Sequence, residues 1–380
     1  MLPTIAAIAA ASVAVLSSLE SVSAQTIKAC IPYQSEFDFT GYPPAWEKAS
    51  TGTVNTPEFT ALKARIDWTK VPSIPPKTAQ APTGPMVTTG YNIAADPDCW
   101  WTATGCTKSK VAGIDPDIVQ CPQPSTLGYT FDDGPNCTQP FLYDFLKQNN
   151  QKVDLFYIGS NVRNWPREAK LGFDAGHHIA VHTWSHPLLT SLSNDEVLAE
   201  LYYTKKIIKL VTGVTPKYFR PPQGDIDDRV RAIAKALNLT NIQWNLDSFD
   251  WMMQPAGPRS PAEIDANFQS WIDKTKNGSF ANSGAVSLEH EANEGTMRKA
   301  MEWYPKLKES FKYIMPVVSC QSIAHPYEET NITFQTFQEV VGGKPAGSGS
   351  TGSGAPSQTA ASLVGGLAAA VAVGVGTALL

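Results

Sequence analysis

The chain has 380 residues, 42% hydrophobic and 17% charged, enough for one large domain with extensions and a sizeable core. Its net charge of −5 comes with no Lys/Arg block, which leaves no electrostatic case for nucleic acid as a partner. Removing residues 1–24 would take away only Glu20 and leave −4.

Residues 2–19 are apolar and small, and Val22-Ser23-Ala24 gives a small-x-small cleavage site. Residues 1–24 are therefore expected to be a signal peptide, with Gln25 as the mature start. Residues 32–97 hold ten prolines and few apolar runs. The stretch 25–120 reads as an irregular Pro-rich extension that wraps the main body, not as a domain with its own core. Six cysteines follow the cleavage site: Cys30, Cys99, Cys106, Cys121, Cys137 and Cys320. An even number in a secreted chain suggests three disulfides, and no CxxC pair supports a structural zinc site. Cys99 and Cys106 would close a small local loop.

From residue 121 apolar β-type runs alternate with helical stretches. Strand candidates are 126–131, 153–159, 178–182, 217–220, 242–246, 285–290 and 313–318. Ser193-Asn-Asp-Glu196 is a capping box before a helix over 194–212, with Gly213 as its stop. Residues 225–238 form another helix candidate, and Ser260-Pro-Ala-Glu263 opens a third, with Pro261 at its first position. This alternation implies parallel βαβ units in an α/β fold. Seven strands in so short a stretch suggest a distorted or incomplete (β/α) barrel, with an open doubly wound sheet as the alternative. No phosphate-cradling Gly-rich loop follows a strand, so nucleotide binding has no support.

The main body is expected to span 121–325, followed by a Gly/Ser-rich linker over 326–360. Residues 346–360 are small and polar, and 361–380 are apolar to the end, with no charge after Lys344. That is the pattern of a GPI-anchor signal with attachment near Ser348 to Ser353 and a tail that is removed. A single membrane span is the alternative, but a span would carry flanking Lys/Arg and more Leu and Ile. Both readings place the protein on the outer face of a membrane. Four sequons, at Asn136, Asn238, Asn277 and Asn331, read as glycosylation sites of a secreted glycoprotein.

Unusual residues recur at the C-terminal ends of the strand candidates, where parallel α/β folds gather their chemistry. Thr130-Phe-Asp-Asp-Gly-Pro135 closes the first strand. Its adjacent carboxylates repel each other unless a cation or distinct roles separate them; taken alone, the motif reads as a surface turn. His182-Thr-Trp-Ser-His186 closes another. Two His four apart can reach one ion, and imidazole with carboxylate suits zinc. Four of the six histidines fall between 177 and 186, and His177 and His178 read as structural. Arg220-Pro-Pro-Gln-Gly224 offers a permanent cation that could orient a carboxylate. Asp247-Ser-Phe-Asp-Trp251 places an Asp in an apolar pocket or in a plain loop. Leu288-Glu-His290 ends a further strand; a lone His there is more often structural.

Each motif is weak alone, yet the ordered set resembles the polysaccharide deacetylase family (the NodB-homology domain of carbohydrate esterase family 4), and within it the fungal GPI-anchored chitin deacetylases. The resemblance covers roughly 121–320 and all five motifs of the family. It implies that Asp133, His182 and His186 bind a divalent metal, Zn²⁺ or Co²⁺, with positions left open for water and the acetyl oxygen. Asp132 would be the general base and Arg220 its holder. The metal and the backbone N–H of Gln223 would stabilise the oxyanion. His290 would protonate the leaving amine and Asp250 would orient it. Trp251 and Leu288 would line the pocket for the acetyl methyl group. The family usually has Tyr where this chain has Gln223, which removes an aromatic surface for the sugar. The resemblance also pairs Cys121 with Cys320, leaving Cys99–Cys106 and Cys30–Cys137.

The expected activity is hydrolysis of N-acetyl groups in chitin, giving chitosan and acetate, by a monomer at the cell surface or in the wall. Two rivals remain: the same chemistry on another acetylated polysaccharide, and a wall protein that binds chitin without turnover.

Overall fold

The computed structural model describes residue 32, residues 36–81 and residues 84–343. The expected signal peptide, attachment region and apolar tail lie outside the described residues, as does Cys30. The elements run α1 (Pro57–Lys63), α2 (Trp101–Thr104), β1 (Thr126–Gly128), β2 (Thr130–Gly134), α3 (Pro140–Gln148), β3 (Asp154–Tyr157), α4 (Gly159–Asn164), α5 (Pro166–Asp174) and β4 (His178–Val181). They continue with α6 (Asn194–Thr212), β5 (Tyr218–Phe219), α7 (Asp228–Ala236), β6 (Thr240–Asn241), β7 (Leu246–Asp247), α8 (Pro261–Lys276) and β8 (Ala285–His290). The last are α9 (Glu294–Ser310), β9 (Tyr313–Met315), α10 (Val317–Cys320) and α11 (Phe337–Val341).

Every strand pairing is parallel. The hydrogen-bonded order is β6-β5-β4-β3-β2-β8-β1-β9, and β7 pairs with β8. Strand β8 is buried along its whole length, as a central parallel strand covered on both faces must be. The strand path is not closed between β6 and β7, and the all-parallel α/β architecture is the incomplete barrel expected. The expected strand 242–246 is corrected here. Two-residue strands flank Ile242–Asn245 instead, because the carbonyls of Ile242 and Gln243 are taken by the Arg220 guanidinium. Those carbonyls therefore bond a side chain in place of a neighbouring strand.

The helices form where their caps predict. Ser193 and Glu196 make a full capping box on α6, which ends at Gly213 with φ 86°. Ser260 and Glu263 do the same for α8, with Pro261 at its first position. Three further helices, α3, α5 and α9, fill the outer layer. One apolar cluster fills the space between strands and helices, from Leu127 and Phe131 to Ile207 and Leu307. A second fills the barrel interior around Phe156, Ala180, Val286 and Val317.

The N-terminal stretch joins the first of these clusters through Ala49, Phe59 and Ile66. Phe59 stacks on Tyr203 and Tyr42 on Trp184, with centroids 6.5 and 6.3 Å apart. The stretch 326–341, expected as linker, is packed into the fold. Tyr327 is fully buried, its hydroxyl accepts from the Ile179 N–H, and Phe337 joins the interior cluster beside Tyr313. His178, Tyr218 and Tyr313 begin their strands, so this segment plugs the N-terminal end of the barrel. Disulfides join Cys99 to Cys106 and Cys121 to Cys320. Cys137 is also disulfide-bonded. Among the described residues, no helix is long and apolar enough to cross a membrane.

Candidate active site

The C-terminal ends of β2, β4, β5, β7 and β8 deliver the candidate residues to one face. Strand β2 carries Asp132 and Asp133 on its last residues before Gly134. A Cβ on Gly134 would lie 1.8 Å from Glu291 Oε1, so only glycine fits there. Asp133 takes φ 73° where the register with β3 shifts, which breaks the alternation of a strand and brings its side chain to the side of Asp132, so that both carboxylates lie within 3.7 Å of His182 Nε2. Asp132 lies against Arg220, while Asp133 Oδ1 sits 3.3 Å from His182 Nε2 and 3.3 Å from His186 Nε2.

The imidazoles are held from behind. His182 Nδ1 lies 2.8 Å from the Arg220 carbonyl oxygen, a contact that requires the proton on Nδ1 and leaves a lone pair on Nε2. His186, with φ 59°, stands at the end of a tight turn. The intervening backbone is clamped by the buried Glu200 of α6. Its carboxylate accepts from Trp184 N, Ser185 N and Ser185 Oγ, each at 2.8 Å, and from Ala49 N at 2.9 Å. Asn161 of α4 donates to the Asp133 carbonyl at 2.8 Å.

Asp133 Oδ1 is buried without a hydrogen-bond donor. Burial alone would raise the Asp133 carboxyl, but attraction to a positive His186 holds it well below the ordinary carboxylate range. Reciprocally, burial would lower His186, and Asp133 overrides this and raises it. The cluster thus draws one positive charge to its centre, a proton on His186 or a metal ion in its place. Asp133, His182 and His186 form a candidate divalent-metal site by donor type and convergence. The other cluster of metal-type side chains among the described residues, Asp96 with Cys99 and Cys106, has both sulfurs in a disulfide.

Arg220 is fully buried and fully engaged. Its guanidinium donates to Asp132 Oδ1 at 2.7 Å, Thr130 Oγ1 at 2.8 Å, and the Ile242 and Gln243 carbonyls at 3.0 and 3.1 Å. It lies 4.1 Å from the Phe156 ring centroid. Across the strand pair, Asp132 is in register with His290. Asp250 accepts from the His290 N–H at 2.9 Å, sits 2.6 Å from His290 Nδ1, and accepts from the Trp251 N–H at 2.9 Å. Burial acts to lower His290, but the Asp250 carboxylate, aided by Asp133 and Asp132, pushes it up to about 10. The Asp250 carboxylate thus favours the protonated form of His290, the form that can donate.

The remaining predicted residues lie around this centre. Gln223 is exposed, with φ 54°, in the turn Pro222–Gly224 after β5. Leu288 is buried, and its carbonyl accepts from Ser248 Oγ at 2.8 Å, which fixes the turn that carries Asp250. Trp251 is 49% exposed, so it stands at the rim. One glycosylation expectation is corrected. Asn136 is buried and its amide nitrogen donates to the Glu291 carbonyl, so a glycan on that nitrogen is incompatible with the folded site. Asn238, Asn277 and Asn331 are exposed. Nothing in the sequence singles out Glu200 and Asn161. Both lie in helical segments, and only the tertiary fold brings them to the motif loops.

A family model for polysaccharide deacetylases matches residues 120–242. A chitin deacetylase of Amylomyces rouxii is 50% identical over 295 residues, which is 77% of this chain and 69% of that protein. Chitin deacetylase 2 of Cryptococcus neoformans var. grubii is 47% identical over 307 residues, 80% of this chain and 66% of that protein. Among solved structures, the chitin deacetylase of Colletotrichum lindemuthianum superposes with a TM-score of 0.50 at 25% identity, covering 56% of this chain and 95% of that one. The similarity spans the barrel and the strand ends that bear the metal-type cluster, and the chain belongs to the polysaccharide deacetylase family.

Proposed function

We propose that the protein removes acetyl groups from N-acetylglucosamine residues of chitin, releasing acetate and leaving chitosan. The observation that carries this reading is the convergence of Asp133, His182 and His186 between an Arg-held carboxylate, Asp132, and a protonated donor, His290. An amide carbonyl is a poor electrophile, and its amine leaves only when protonated. The site offers an answer to each difficulty.

Asp133, His182 and His186 would hold a divalent ion, Zn²⁺ or Co²⁺. Such an ion, when bound, supplies Lewis acidity toward the acetyl oxygen and the attacking water. Asp132 takes a proton from that water, and Arg220 keeps its carboxylate aimed. The Gln223 N–H serves the developing oxyanion. His290, oriented through Nδ1 by Asp250, gives its Nε2 proton to the sugar nitrogen as the C–N bond breaks. Leu288 and Trp251 bound the acetyl pocket.

The disulfides fit an oxidising compartment. A secreted, monomeric enzyme held to the outer face of the plasma membrane by a GPI lipid is supported by the sequence pattern at 346–380. Release of activity from cells by a GPI-specific phospholipase tests the anchor. Acetate release from chitin oligomers by the zinc- or cobalt-loaded protein tests the chemistry. An inactive protein, or an Asp132→Asn variant as active as wild type, rejects it. A parallel panel of acetylated xylan and poly-N-acetylglucosamine separates chitin from the rival polymers.

A further inference from the structure

Trp46 is an exposed tryptophan in a strained conformation. The residue is 52% exposed, and its backbone has φ 65°, in the left-handed region. For a bulky L-residue that region is strained, and it persists only where surroundings impose it. Here they do. Arg163 donates to the Pro43 carbonyl at 3.1 Å, and Trp184 Nε1 to the Pro44 carbonyl at 2.9 Å. The Trp46 N–H donates to Ser160 Oγ at 2.8 Å, and Ala49 N to Glu200 at 2.9 Å. Four anchors within seven residues fix this stretch, yet the fold has no use for the ring.

The anchors also locate it. Ser160 Oγ donates to the Trp184 carbonyl at 2.6 Å, midway between His182 and His186. The next residue, Asn161, holds the Asp133 carbonyl. Ser160 lies in the first turn of α4 just after β3, and Trp184 follows β4, so both lie at the C-terminal ends of the strands. Trp46 is therefore two hydrogen bonds from the metal-ligand turn, on the catalytic face. Trp251, 49% exposed, stands beyond β7 and β8 on the other flank.

We infer that Trp46 is a sugar-binding platform, a subsite for an N-acetylglucosamine unit flanking the one that reacts. The inference rests on the proposed substrate. A β-linked pyranose presents a C–H face that packs on an indole, and a fixed ring binds with little loss of rotamer freedom. An N-terminal segment tied by its backbone to the ligand turn would thus add length recognition to the barrel.

The test uses the full chain with a disaccharide and a hexasaccharide of N-acetylglucosamine. Trp46→Gly is the informative variant, because glycine accepts the left-handed backbone freely. It is expected to melt no lower than wild type. Its KM for the hexasaccharide should rise about tenfold, equal to ~1.4 kcal/mol, with a smaller change for the disaccharide. Trp46→Tyr should recover most of the loss. Binding of the hexasaccharide to an Asp132→Asn background, measured by calorimetry, should weaken by the same factor on adding Trp46→Gly. Equal hexasaccharide affinity with and without the ring, in an active wild type, overturns the role of Trp46 alone. A wild type that neither binds nor hydrolyses the hexasaccharide overturns the functional reading, and Trp46 with it.

Discussion

Asp132 and Asp133 are neighbours in sequence, and the left-handed backbone at Asp133 brings both carboxylates to one site, where Asp132 binds a guanidinium and Asp133 faces two imidazoles. Their substitutions should separate accordingly. Asp132→Asn is expected to keep its metal and lose ~10²–10⁴-fold in turnover, the usual worth of a general base. His182→Ala should lose both, as metal analysis and acetate release on one sample will show. His290 gives a pH prediction. Its imidazole is raised from the ordinary 6.5 to about 10 by Asp250, so its stabilising contribution is complete below 6.5 and lost as pH rises through about 10. The donor form vanishes over the same window. Asp250→Asn removes the main cause of the rise, so the alkaline limb of kcat/KM should move to lower pH and the variant should lose stability mainly below pH ~10. An unmoved limb would assign the acid role elsewhere. These residues are legible in the sequence only as an ordered set of strand-end motifs that resembles a family, because each Asp or His taken alone reads equally as a turn or a structural residue. Asn136 is misleading there, because a sequon reports three residues and not the Glu291 carbonyl that buries the amide.

Between residues and the fold lie the turns and helices that aim them. In the loop from Thr183 to His186 the carbonyls of Thr183 and Trp184 accept from the backbone of Gly159 and Ser160, and the N–H groups of Trp184 and Ser185 donate to Glu200 on α6. Glu200→Ala would strand the N–H groups of Ala49, Trp184 and Ser185. At ~1–3 kcal/mol for each unsatisfied buried donor, a loss of at least about 3 kcal/mol is expected in denaturant unfolding. The same variant should disturb the d–d spectrum of the cobalt-loaded protein, since His186 would lose its fixed approach. An unchanged spectrum with lowered stability would leave Glu200 a structural residue only. The helix itself is readable from Ser193 to Gly213, because its cap and stop are local chemistry. Helix α9 is not. Its capping box pairs Asn293 with Thr296, where a Glu or Gln is the usual signal, and Gly295 and Pro305 break its pattern. The strand expected over 242–246 fails for the opposite reason. Its residues are apolar enough, but a distant Arg220 claims their carbonyls.

The barrel stays open between β6 and β7, so other parts of the chain carry its closure. The plug at 326–341 seals the N-terminal end through Tyr327 and Phe337; it carries three aromatic residues and no Gly or Ser, unlike the stretch that follows, but no local pattern shows where those rings dock. Near that end, Cys121 just before β1 is bonded to Cys320 in α10, a separation of 199 residues. Chain-entropy reasoning makes such a long closure valuable, because the unfolded chain loses most freedom when distant points are joined; the model value is about 5 kcal/mol for loops of this order. Replacing both cysteines by serine should therefore lower stability by roughly 3–5 kcal/mol. The Cys99–Cys106 pair spans only 7 residues, and its double serine variant should cost clearly less by the same reasoning. The comparison is made by denaturant unfolding of the two double variants side by side. The native environments differ as well: both Cys121 and Cys320 belong to the interior cluster with Val286 and Val317, so serines there would also bury hydroxyls in an apolar setting. Reduction of the wild type without substitution separates these causes. If reduction destabilises as much as the serines do, loop closure dominates. If the serines cost substantially more, packing at the barrel's end is the larger part, and the disulfide serves chiefly to hold a core that the open sheet leaves unguarded.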